Sequence, residues 1–153
     1  MRLTALFLMA VGMTLATNAG VPDVSGLWVA VIDRCDFGSA SHPMRLVLNV
    51  TQDDHQLKVL EVFKDKNGAG LAERLYRLRG SSPIKSAVGR AKINGRTAVL
   101  QFPEHLDQWR ISEDGAELIV TRWIRRSSTA HRQVLIFRRS DDIVAMFPSE
   151  ESK

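Results

Sequence analysis

The residues able to do chemistry are few and scattered. There are four histidines (His42, His55, His105 and His131) and one cysteine, Cys35. Glu104-His105-x-Asp107 and Asp53-Asp54-His55 come nearest to a cluster of metal ligands. A zinc-type site needs several such ligands converging at closed spacing. Both clusters instead fall where turns favour Asp and other polar residues for backbone reasons, so no metal is expected. No Gly-x-Ser-x-Gly elbow or Cys–His signature marks a nucleophile. Asn67-Gly68-Ala69-Gly70 lacks the lysine and the following helix that turn a glycine-rich loop into a phosphate cradle. The expectation is a protein that is not an enzyme and carries no cofactor. A single cysteine also leaves no internal disulfide framework, so Cys35 is read as a bystander thiol and the fold must rest on core burial.

Charge carries more signal. The formal net charge is +4, and the excess is local. Between positions 116 and 139 stand Arg122, Arg125, Arg126, Arg132, Arg138 and Arg139, opposed only by Glu117. A basic hairpin over 122–139, with Arg122, Arg125, Arg126 and Arg132 as its patch, suits an acidic partner or an envelope surface. The same arginines also suit a solvated hairpin whose charges keep an edge strand from pairing with other chains. Aromatic residues make up only 7% of the chain, too few for a base-stacking surface, so nucleic acid is not expected.

Stepping from residues to elements, periodicity is two almost everywhere. Leu46, Leu48 and Val50 alternate with Arg45, Asn49 and Thr51, as in a half-buried strand. Turn signals separate strand segments at 26–33, 44–51, 56–64, 71–79, 87–94, 96–102, 106–112, 117–125 and 131–139. Asn94-Gly95 is the strongest of them, because both residues tolerate the positive φ a tight hairpin needs. About nine strands joined by short connections, with no crossover helix, make an all-β antiparallel up-and-down meander. Closing the meander into a barrel removes its edges; an open β-sandwich is the alternative.

The first residues set the compartment. Arg2 is followed by an apolar run over 3–15 and by small residues at 17–19. This is the order of a cleaved export signal, and the run is too short to span a bilayer. The expected organisation is a signal peptide over 1–19, a barrel domain over 20–140 and a tail over 141–153. The mature protein would be secreted or periplasmic, with no transmembrane segment.

Gly26-Leu27-Trp28 has the Gly-x-Trp spacing that opens the first strand of lipocalin-like barrels. With Asp36-Phe37-Gly38, Tyr76-x-Leu78-x-Gly80, Trp109-x-x-Ser112-x-Asp114-Gly115-x-x-Leu118, Arg122 and Leu135-x-Phe137-x-Arg139, the chain resembles a group of uncharacterised bacterial secreted lipocalin-like (calycin-type) β-barrel proteins. That resemblance implies fold and export, and an arginine on the last strand over Trp28. Alternation favours Arg139 over Arg138, because Leu135 and Phe137 form the larger apolar face. In such a barrel the leading functional expectation is a binding module for a small apolar ligand. The inward positions are read as Leu48, Val59, Tyr76, Val99, Trp109 and Val120. The interior is either hollow or filled by its own side chains.

Overall fold

The computed structural model describes residues 23–78, 89–126 and 129–142. The expected signal peptide and most of the expected tail lie outside them. Nine strands follow in order: β1 (Gly26–Ala30), β2 (Arg45–Gln52), β3 (Gln56–Asp65), β4 (Gly68–Leu78), β5 (Gly89–Asn94), β6 (Thr97–Gln101), β7 (His105–Ile111), β8 (Glu117–Arg126) and β9 (Thr129–Ser140). Each pairs with the next, and β9 pairs with β1, so the sheet closes into a barrel. Among the described residues no helix is long and apolar enough to cross a membrane.

Two details depart from a plain antiparallel meander. Strand β1 stops at Ala30 rather than running to 33, and a short 3-10 turn, Ile32–Arg34, follows it. Strands β4 and β5 pair in parallel, with Tyr76 opposite Gly89 and Leu78 opposite Ala91. A parallel pair cannot be joined by a tight hairpin, and the connection, 79–88, lies outside the described residues. At that seam the ring of Tyr76 lies over Gly89, where a Cβ would also come within 2.9 Å of the Gln101 carbonyl oxygen. Any larger residue at 89 would run into both the ring and that carbonyl.

The hairpin after β5 is offset by one residue from its sequence signal. Asn94 pairs with Thr97, so the two turn residues are Gly95 and Arg96. Gly95 has φ +56°, the positive φ that tight two-residue hairpin turns need at their first central position. Asp53 builds another turn, its Oδ1 accepting from the His55 and Gln56 amides at 2.8 and 2.9 Å.

Alternation along the strands turns a set of apolar side chains toward the lumen. Trp28, Leu48, Leu57, Tyr76, Leu100, Trp109, Leu118, Val120, Leu135 and Phe137 belong to one contiguous buried cluster. Each fully buried side chain of this size stabilises the fold by about 1.5–3 kcal/mol. At the end where β1 begins and β9 finishes, Trp28 pairs with Leu48 on one side and Arg139 on the other. The Arg139 guanidinium carbon lies 4.4 Å from the Trp28 ring centroid. Its Nη1 donates to the Ser25 carbonyl at 2.9 Å, while the indole Nε1 donates to the Val24 carbonyl at 3.2 Å. Gly26, at φ +137°, underlies that guanidinium, and a Cβ there would meet Arg139 Nη1 at 3.1 Å.

Candidate functional site

At the opposite end the lumen changes character. The two-residue period that points Leu118 and Val120 inward carries Arg122 inward as well, and it is buried. On β7 the same period brings in His105, Asp107 and Trp109. Arg122 faces Asp107 across the β7–β8 ladder. Its Nε donates to Asp107 Oδ1 at 3.0 Å and its Nη2 to Oδ2 at 3.0 Å. The same Nη2 reaches Glu61 Oε2 at 3.1 Å, spanning the lumen from β8 to β3. Arg74 of β4 donates its Nη1 to that carboxylate oxygen at 3.2 Å. Two guanidiniums thus face two carboxylates in one interior network, with charge balanced.

The network sets the protonation of its members. Burial alone would raise the Glu61 carboxyl, but Arg122 and Arg74 outweigh it and hold it below the usual carboxylate range. Burial would likewise lower the Arg122 guanidinium; Glu61 and Asp107 reverse that and keep it charged. His105 is lowered, chiefly by burial and against the pull of Asp107 3.8 Å away. Its Nε2 lies 3.4 Å from the Tyr76 hydroxyl, and burial pushes that phenol up. Phe102 caps the group, stacked on His105 with ring centroids 5.4 Å apart and edge-on to Tyr76 at 5.8 Å.

Five of the six expected lining residues, Leu48, Val59, Tyr76, Trp109 and Val120, are buried within the lumen cluster. Val99 is not: it is 43% exposed on the outer face, and the inward residues of β6 are Ala98 and Leu100. The offset of the Gly95-Arg96 turn fixes that parity, and one residue of register exchanges the two faces. The expected basic patch is also divided. Arg125 and Arg132 are exposed, the Arg126 side chain lies outside the described residues, and Arg122 points into the barrel. Glu61, Arg74, Phe102, His105 and Asp107 are not recognisable as a group from the sequence. Two of them were visible in Glu104-His105-x-Asp107, where His105 and Asp107 share strand parity with Trp109. Among the described residues no three His, Cys, Asp or Glu side chains converge as metal ligands.

No family model and no curated protein matches the chain. Solved structures do. A zebrafish ileal bile acid-binding protein complexed with cholic acid superposes with a TM-score of 0.53 at 12% identity, over 76% of this chain and 98% of that one. The siderocalin Ex-FABP, described as having dual ligand specificities, gives 0.53 at 10% identity over 80% and 78%. The REP1-NXSQ fatty acid transporter gives 0.50 at 9% identity over 77% and 96%. The fold is therefore an all-β closed barrel of the lipocalin and fatty-acid-binding type.

Proposed function

We propose that this protein is a secreted or periplasmic, non-enzymatic binding barrel for one small, largely apolar molecule bearing a hydrogen-bond acceptor. Trp109 carries the reading. Its ring is buried in the lumen, and its Nε1–H is the buried side-chain polar group left without a hydrogen-bond partner among the described residues. A buried donor in that state costs about 1–3 kcal/mol, and such a group in an otherwise satisfied interior calls for an acceptor. A ligand lying along the apolar side chains with one oxygen at Trp109 supplies it. The bile acid and fatty acid named for the structural neighbours have this chemistry, an apolar body with a polar end. The non-enzymatic part of the reading rests on the charged network: its carboxylates are engaged by arginines rather than poised as acid or base.

The test compares decanoate, decanol and decane as displacers of a fluorescent probe from the purified protein. Decanol and decanoate are expected to bind saturably and more tightly than decane. Trp109→Phe, which keeps a ring and loses the N–H, should shrink that preference by about tenfold, the value of one hydrogen bond. No saturable binding by any of the three, or a preference unchanged in the variant, refutes the reading. Export is tested separately by N-terminal sequencing of protein recovered outside the cytoplasm. A start near Gly20 is expected, and a start at Met1 contradicts cleavage.

A further inference from the structure

The outer face of the barrel holds a second cluster that the lumen reading does not use. Cross-strand register places Arg77, Arg90, Gln101, Leu106, Trp123 and Arg132 in one row from β4 to β9. Beside this row, at the β6–β7 corner, is an open cavity of about 330 Å³ lined by Arg90, Gln101, Phe102, Pro103 and Arg125. Arg34, Arg74, Arg96 and Arg122 each have a carboxylate partner. Arg90 and Arg125 have none among the described residues, although both line the same cavity. Glu104 is the acid of that turn. Its backbone carbonyl accepts from the Arg125 amide at 2.9 Å, and its exposed side chain is not part of the lining.

Phe102 is part of the lining, and its ring packs against His105 and Tyr76. Arg74 lies 5.9 Å from the ring centroid. Its charge is met by Glu61, so the cations left to an anion in the cavity are Arg90 and Arg125. One guanidinium fork satisfies a carboxylate; two forks and an amide suit an anion with three or four oxygens.

We propose that this cavity binds a phosphate-type oxyanion between Arg90 and Arg125, presented either by a soluble phosphate ester or by the headgroup of an anionic phospholipid. Isotope-labelled protein titrated with inorganic phosphate and followed by amide NMR should show saturable shifts at 90, 101, 102, 104 and 125. Chloride at equal ionic strength should show none. In parallel, co-sedimentation is measured with phosphatidylcholine vesicles that contain or lack phosphatidylglycerol.

The double variant R90Q/R125Q should weaken whichever binding occurs by at least about tenfold. R90K/R125K, which keeps charge and loses the forks, should fall between. Both positions are exposed, and unchanged shifts elsewhere in the NMR spectrum confirm an intact fold. Phosphate binding without vesicle binding assigns a soluble ester; vesicle binding lost in R90Q/R125Q assigns a headgroup. The proposal is overturned if neither ligand binds, or if whichever binds is unaffected by R90Q/R125Q.

Discussion

Arg122 is the side chain whose placement costs most and reveals most. Taking a guanidinium and two carboxylates out of water is unfavourable, and their mutual attraction offsets the loss only when every partner is present. Here Asp107 accepts through both oxygens and Glu61 adds a third contact, itself secured by Arg74. Removing one partner should therefore hurt more than removing two. Arg122→Met leaves Asp107 buried without its guanidinium and is expected to cost about 3–5 kcal/mol. The double variant D107L/R122M leaves Glu61 paired with Arg74 and should recover most of that loss. Urea denaturation of both proteins measures it; a double variant as unstable as the single would show that the pair supplies net stability. If the double variant is stable yet binds decanol less well, the network serves the ligand. Cys35 offers a contrast at the same scale. Its sulfur sits 3.3 Å from the Val31 carbonyl oxygen and accepts from the Ile136 amide. Burial pushes its thiol up, so the thiolate is scarce at neutral pH and the residue acts as packing.

At the scale of elements, period two explains both what could be read and what could not. The nine strands and their closure were legible because apolar alternation and turn residues repeat along the chain, and a meander of that length closes by pairing its ends. Arg139 over Trp28 followed from the same parity, since Leu135 and Phe137 carry Arg139 on their face. Val99 was misplaced because β6 is only five residues long and offers apolar side chains at 98, 99 and 100. Parity there is decided by a turn whose glycine can serve at either central position. Arg122 reads as surface when charge alone is considered, but Leu118 and Val120 precede it at the same inward spacing. The parallel β4–β5 pair had no local signal at all: it depends on where a long connection delivers the chain, and Gly89 beneath Tyr76 is its only trace in the sequence. Glu61 was illegible for a similar reason, since its partner Arg122 lies across the lumen, 61 residues away, and Arg74 joins the network only through Glu61.

For the whole molecule, the lumen runs from a sealed apolar end, Trp28 under Arg139, to a charged end where β7 begins. That polarity makes stability depend on acid in a defined direction. His105 faces Asp107, Glu61, Arg74, Arg122 and the Tyr76 hydroxyl, and burial keeps it neutral below its ordinary value of 6.5. In the unfolded chain it takes up a proton near 6.5, whereas in the barrel it does so only at lower pH. Between those two points the unfolded state holds more protons, so stability falls as pH falls. Glu61 acts in the same sense further down. Its carboxyl is held below the ordinary 4.5, so the stability its ionised form contributes is present above 4.5 and lost as acid protonates it. The urea midpoint is thus expected to be highest at pH 7–8, to decline below about 6.5 and to decline more steeply below about 4.5. His105→Gln removes the first decline and leaves the second, because Glu61 keeps both of its arginines. A midpoint as high at pH 5 as at pH 7.5, or a His105→Gln variant retaining the full slope between pH 6.5 and 5, would place the acid sensitivity outside this network.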